Sequence, residues 1–372
     1  MTICSVSVQR GSNGAFSNNE PMNCYIQINS KNKAKQDIDT LMAKIGYRNI
    51  AVRGVGGKKV ETFVRKVLSL VYSLIVLKKG DVLVMQYPYK KFYAVQCMVA
   101  HLKGARTVTL IHDLGTFRRR KLTAPQEMRR LSHTDYIIAH NGRMKHWLLE
   151  HAAEHLSNLR TPINNESNIG ELGIFDYLSE CVEPSDNIAV PNSDKIIYAG
   201  GLGERKNAFL YEASDAIEGC TMDLYGSGNL DYSRFGKNIH HHGRIGSDDF
   251  IRDVKGGWGL VWDGDSCDGC GGIWGEYLKL NNPHKCSFYL RAGLPVIVWS
   301  ESAMAEFVLK NKIGIAVERL SDIPQTLQAI SAEEQAQIAA NVTQMQRRLN
   351  EGHYFSEAIK VALETILKKE RD

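Results

Sequence analysis

The densest group of residues able to do chemistry is Asn281-Asn282-Pro283-His284-Lys285-Cys286-Ser287. Asn282 is a helix-capping residue type and Pro283 suits a first helical position, so unsatisfied N–H groups and a positive dipole end are expected to converge there. With His284, Lys285 and Ser287 in the first turn, a diphosphate would gain backbone N–H bonds, a point charge and a hydroxyl donor together. A second anion-directed segment is IYAGGLGERKN at 197–207, where Gly200, Gly201 and Gly203 permit close backbone approach and Arg205 and Lys206 supply cations. Tyr225 and Gly226 end the next strand, and Gly243, Arg244 and Ile245 follow another, both places for a backbone turn against a nucleobase. Asp263, Asp265 and Glu276 lie near Trp262, Trp274 and Tyr277, a mixture of carboxylates and rings that suits sugar hydroxyls and sugar faces.

The first half carries fewer such groups. RGSNG contributes Gly11, Asn13 and Gly14 directly after the first expected strand, and His112 and Asp113 end the strand VTLIHD. Either of the last two can accept a proton from a hydroxyl, and a base at the carboxyl end of a strand faces a cleft; Asp113 capping the following turn is the competing reading. Arg118 opens a basic cluster that ends at Lys121, read either as a solvated loop or as an attraction for anionic lipid or a pyrophosphate-linked acceptor.

Other chemistries are excluded by spacing. His240, His241 and His242 are adjacent on a strand, so their side chains point to opposite faces and cannot chelate one ion. Cys267 and Cys270 form a lone CxxC with no second pair at zinc-site spacing. No metal site is expected. The glycines at 226 and 228 supply only GxG, short of a dinucleotide fingerprint, and GVGGKK at 54–59 lacks the Ser or Thr that a P-loop places after its Lys.

These residues need rigid elements behind them, and the chain supplies two alternating series. Strands are expected at 2–8, 49–52, 81–87, 107–112, 135–139 and 172–178, with helices at 35–45, 60–77, 93–102, 124–131 and 143–154. A polar stretch at 155–171 reads as a loop, and 183–194, with two prolines, as a linker. The second series places strands at 195–199, 221–225, 259–262, 294–299 and 314–317, and helices at 208–217, 248–254, 283–292, 303–311 and 324–330. Phe355, Ile359, Ala362, Leu363 and Ile366 then mark one face of a closing helix. The fold class is α/β, two doubly wound domains facing a cleft, over residues 1–185 and 186–345, with 346–372 packing back toward the first.

At 372 residues the chain is long enough for two cores. A net charge of +5 is too mild to demand nucleic acid and fits an acidic small molecule or an anionic membrane surface. The N-terminus lacks the basic and apolar regions of a secretory signal, which gives a cytoplasmic expectation, and the eight cysteines are expected as reduced thiols.

The order GGLGERKN, LYGSG, GLVWDGDS and GEYLKLNNPHKCSFYLRAGLPVIV, with VTLIHD, YIIAHN and GIFDYL before it, resembles the bacterial glycosyltransferases that include β-1,6-galactofuranosyltransferases and adhesin-modifying glucosyltransferases. The resemblance implies a GT-B fold with the acceptor in the N-terminal domain and the nucleotide, usually UDP, in the C-terminal one. It implies transfer of a hexose, galactofuranose or glucose, at the inner face of the membrane where the acceptor is lipid-linked, with no metal or other cofactor. By that analogy Asn282, Lys285 and Arg205 stabilise the departing diphosphate, and Asp113 is the base if the transfer inverts the anomeric centre. Many GT-B enzymes hold the ribose with a Glu in the helix after the Pro-x-Lys element; Phe288 stands there in this chain, so no ribose contact is expected from it. The expected partners are a nucleotide-sugar donor and a glycan or lipid-linked acceptor, and no nucleic acid. Peripheral membrane contact and a homo-oligomer are both compatible with this sequence. A non-catalytic nucleotide-sugar-binding subunit is the alternative; it would keep NNPHK and need no base.

Overall fold

The computed structural model describes residues 21–27, 32–52, 59–89, 92–118, 120–159, 161–181 and 194–368. Six parallel strands build the first sheet: β1 (Asn23–Tyr25), β2 (Arg48–Asn49), β3 (Val82–Tyr87), β4 (Arg106–Ile111), β5 (Tyr136–Ala139) and β6 (Ile169–Glu171), in the order β2-β1-β3-β4-β5-β6. The second sheet holds β7 (Lys195–Leu202), β8 (Thr221–Gly228), β9 (Ile239–His241), β10 (Trp258–Val261), β11 (Val296–Trp299) and β12 (Gly314–Val317), in the order β12-β11-β10-β7-β8-β9. Every residue of β3, β5, β10 and β11 is buried, which is why these strands read as apolar runs, interrupted only at Gln86 of β3: helices cover both faces of a parallel sheet. Two such sheets facing one cleft are the GT-B arrangement.

Several expectations change. The expected strand at 2–8, the turn residues Gly11, Asn13 and Gly14, and most of the expected linker lie outside the described residues. The apolar run 172–178 is not a strand. β6 ends at Glu171, and after two further ladder-like bonds, from Leu172 N to the Ala139 carbonyl and Gly173 N to that of His140, the chain leaves the sheet. Gly173, at φ +83°, makes that turn, and Ile174, Phe175 and Tyr177 are buried by packing between elements instead of by strand pairing. β7 and β8 run three residues further than expected, because Gly200, Gly201 and Leu202 pair with Gly226, Ser227 and Gly228. A Cβ on Gly226 would sit 1.9 Å from the Gly200 carbonyl oxygen, so the glycines serve close strand approach. The helix expected over 208–217 is broken into Ala208–Tyr211 and Ala213–Ala216.

A long helix, Ala332–Glu351, opens on a capping box between Ser331 and Glu334 and packs against the helix His284–Arg291. Gly352, at φ +79°, ends it, and a Cβ there would lie 2.1 Å from Leu41 Cδ2. The last helix, His353–Lys368, crosses to the first sheet, where Phe355, Ile359, Ala362 and Ile366 share a core with Val84, Val108 and Ile138. Asp176, from the segment that left the sheet, accepts hydrogen bonds from Tyr354 N at 3.1 Å and Phe355 N at 2.7 Å and so caps this helix.

Candidate active site

The carboxyl ends of both sheets open onto one cavity of about 240 Å³, lined by His112, Asp113 and Phe175 from the first domain and by Lys206, Asp263, Trp274, Tyr277, Asn282, His284 and Lys285 from the second. On the C-terminal wall, Lys206 Nζ lies 3.0 Å and Lys285 Nζ 3.6 Å from the two carboxylate oxygens of Asp263, which is almost fully buried. The turn that presents Lys206 is fixed by Asn207. Its side chain donates to the Tyr198 hydroxyl and accepts from Gly203 N, and the Lys206 carbonyl accepts from Gly264 N, next to Asp263. Lys285 lies 3.8 Å above the Tyr198 ring, and Lys206 5.2 Å from the Trp274 ring. Burial lowers the Lys285 pKa to about 7, with Asp263 pulling it up and Lys206 pushing it down. Two ammonium sites share one carboxylate, so an anion of the right size has a place to add charge.

Lys285 and His284 form the first turn of the helix His284–Arg291, whose N-cap is Pro283. Asn282 therefore does not cap it. Its amide nitrogen donates to the carbonyls of His140 and Gly173 at 2.7 and 2.8 Å, its oxygen accepts from Asn141 Nδ2 at 2.6 Å, and its backbone N donates to His140 Nδ1 at 3.0 Å. The reason is spatial: the carboxamide faces the β5 end, and bonds to the opposite domain take the groups a cap would have used. His140 is held neutral by burial, near pKa 4, donating from Nε2 to the Ile111 carbonyl while Nδ1 accepts.

On the N-terminal wall a neutral imidazole stands next to a carboxyl group, His112 beside Asp113. His112 follows β4, stacks on Phe175 at 5.2 Å, and has its pKa held well below the usual range by burial, with Lys35, His140 and His284 adding to the effect. Its Nε2 has no hydrogen-bond partner among the described residues. Asp113 comes next, and the loop after it is pinned by Glu127, which accepts from Gly115 N, Thr116 N and the Thr116 and Tyr87 hydroxyls at 2.6–3.0 Å. Tyr277 reaches across to accept a hydrogen bond from Leu114 N at 3.1 Å and stacks on Phe117.

The remaining described candidates of the C-terminal domain do not line the cavity. Gly200 is adjacent to it, since a Cβ there would lie 3.7 Å from Lys285 Cε, and Gly201 faces open space. Arg205 and Arg244 are exposed, and Ile245 packs against the core. Tyr225 stacks on His242 at 4.9 Å. Ser287 is buried, and its hydroxyl has no partner among the described residues. Arg118 ends the short helix Gly115–Arg118. The histidine triplet diverges: His241 stacks on Tyr232, and His242 bonds Asp223 at 2.8 Å. No group of three or more metal-binding side chains forms among the described residues. Glu127, Phe175 and His140 were not singled out in the sequence, because they act through partners on other elements, and Asn207 was read only as the end of the glycine-rich segment.

Two family models match. The glucosyltransferase 3-like N-terminal domain covers residues 23–155 and includes His112 and Asp113; the glucosyltransferase 3-like C-terminal domain covers 196–362 and includes Lys206, Asp263 and Lys285. β-1,6-Galactofuranosyltransferase WbbI of Escherichia coli (strain K12) is 31% identical over 337 residues, which span 88% of this chain and 93% of WbbI. The chain belongs to the glucosyltransferase 3-like family. It is a glycosyltransferase, and the cavity between its domains is its candidate active site. Glucosyltransferase 3 of Streptococcus gordonii is 31% identical over 134 residues, 35% of this chain and 38% of that protein. Among solved structures, AviGT4, a glycosyltransferase involved in avilamycin A biosynthesis, is 12% identical, with a TM-score of 0.49 and coverage of 93% of this chain and 98% of that one.

Proposed function

We propose that this glycosyltransferase moves a hexose, galactofuranose or glucose, from a UDP-sugar to a hydroxyl of a glycan or lipid-linked acceptor, without a metal or other cofactor. The observation that carries this reading is the Lys206–Asp263–Lys285 arrangement at the start of the helix His284–Arg291. A diphosphate bound there would restore full charge to Lys285 and meet two ammonium groups and a helix N-terminus, the charge balance that a divalent ion supplies in other enzymes. Asp113 is the proposed base. It takes the proton of the acceptor hydroxyl as that oxygen bonds the anomeric carbon and the UDP oxygen leaves toward Lys285. Neutral His112, beside it in the cavity, can hydrogen-bond the same hydroxyl without adding charge. Phe288 supports a ribose site elsewhere, since it packs on Tyr177 and Phe250. The proposed compartment is the cytoplasm, at the inner face of the membrane when the acceptor is lipid-linked.

The test is calorimetry with UDP, GDP, CDP, ADP and NADH on the wild type and on Lys285→Ala. UDP should bind selectively and lose about tenfold or more in affinity on substitution, a loss of about 1.4 kcal/mol; UDP-galactofuranose and UDP-glucose then follow as donors. Binding that ignores Lys285, or no diphosphate binding at all, sinks the donor-site assignment.

A further inference from the structure

The helix Lys59–Val76 is amphipathic in the wrong sense for a helix that covers a sheet. Its buried side includes Ser69 and Ser73: the Ser73 hydroxyl donates to the Ser69 carbonyl and accepts from Gln96 Nε2, and the Ser69 hydroxyl accepts from Val52 N. Tyr72 and Val76 reach the core, but most of its apolar side chains point outward instead. Phe63 is 59% exposed and Ile75 72%, with Leu68 and Val71 between them, and the neighbouring helix Tyr93–Leu102 extends the face with Met98 at 56% and Leu102 at 78%. Scattered exposed apolar residues are ordinary, whereas a continuous face across two packed helices is a binding surface.

Charge identifies what it binds. Residues 58–106 hold ten Lys and Arg against two carboxylates, Glu61 and Asp81. Lys78 and Lys79 follow the first helix and Lys103 the second, and these ends meet, since Gly80 N donates to the Gly104 carbonyl at 3.1 Å. A second copy docked on the same face would set this charge against itself, which is costly. An anionic lipid surface satisfies both the apolar face and its basic flanks. No helix among the described residues is long and apolar enough to cross a membrane, so the contact lies in the plane of the bilayer.

We propose that the Lys59–Val76 and Tyr93–Leu102 helices dock this chain on an anionic phospholipid bilayer. The face begins beside the active-site mouth. Phe63 packs on Phe92, and Lys66 lies 4.1 Å above the ring of Tyr89, which follows β3; the last β3 residue, Tyr87, pairs with Ile111, one residue before His112. Docking does not depend on the reaction proposed above, but its use in presenting a lipid-linked acceptor rests on that reading.

The experiment is flotation of the full chain with phosphatidylcholine vesicles, with and without about 30% phosphatidylglycerol. The wild type should float with the anionic vesicles at least tenfold more than with neutral ones. Ile75→Glu/Leu102→Glu and Lys78→Glu/Lys79→Glu/Lys103→Glu should each lose that binding about tenfold, with unchanged melting temperature and UDP affinity. Failure of the wild type to float, or undiminished flotation of the Ile75→Glu/Leu102→Glu variant, overturns the proposal. A wild-type dimer that ignores vesicles and is split by the same variant also overturns it and makes the face a copy interface. Flotation as expected without UDP binding leaves docking intact and removes the UDP-sugar reading alone.

Discussion

On one wall of the cleft, Lys206 and Lys285 divide a single buried carboxylate; on the other, His112 lies against Phe175 with its charge removed by burial. Desolvation acts on Lys285 and His112 alike, lowering the pKa of both. What differs is the company. Asp263 draws Lys285 back toward its charged form, while the named neighbours of His112, Lys35, His140 and His284, all oppose protonation. The first wall is therefore poised to gain charge when an anion arrives, and on the second the imidazole beside Asp113 is kept neutral. That contrast matches a donor whose phosphates leave on one side and an acceptor that gives up a proton on the other.

The division can be broken most sharply at Asp113. Asp113→Asn should lower kcat on the order of 100- to 10,000-fold with UDP affinity changed less than twofold; steady-state kinetics beside calorimetry decide this, and a matching loss of UDP affinity would mean the walls do not divide the work. Next in size is Asn282→Ala, which leaves buried groups of both domains without partners and should cost about 2 kcal/mol in urea unfolding. Loss of UDP binding as severe as in Lys285→Ala, without a stability change, would move Asn282 back to the donor. The smallest effect is in pH. Lys285 has its pKa lowered to about 7 in the free protein, so its ammonium is present below that pH and lost above it. A bound diphosphate raises that pKa, so UDP affinity should be level below pH 7 and fall by up to about tenfold per unit above it. Proton uptake at pH 8, measured in buffers of different ionisation heat, should vanish in Lys285→Met; affinity that stays level to pH 9 would separate Lys285 from the anion.

The sheet interiors were legible because β5 and β11 are apolar throughout and β3 is apolar but for Gln86. The same signal misled at 172–178, where apolar residues serve packing between elements after Gly173 turns the chain away. The helix Ala332–Glu351 was missed because Ile338, Val342, Met345 and Leu349 are diluted among polar residues, although Ser331 with Glu334 and the terminal Gly352 were readable signals. Lys285 and Lys206 were found because cations near glycines and helix starts have few other uses. Asn282 was given the wrong partners, since a carboxamide that suits a cap suits an inter-domain bond equally well. Glu127 and Phe175 had no local signature at all, because their roles exist only once distant strands are side by side.

The last helix has a consequence for how the protein is made. Phe355, Ile359, Ala362 and Ile366 fill the core on one face of the first sheet, whose strands leave the ribosome some two hundred residues earlier. Until that helix emerges, Val84, Val108 and Ile138 have only part of their cover, from Ile38 and Leu41 of the helix Lys33–Lys44. The core of the first sheet is thus completed only after all the strands of the second have been made.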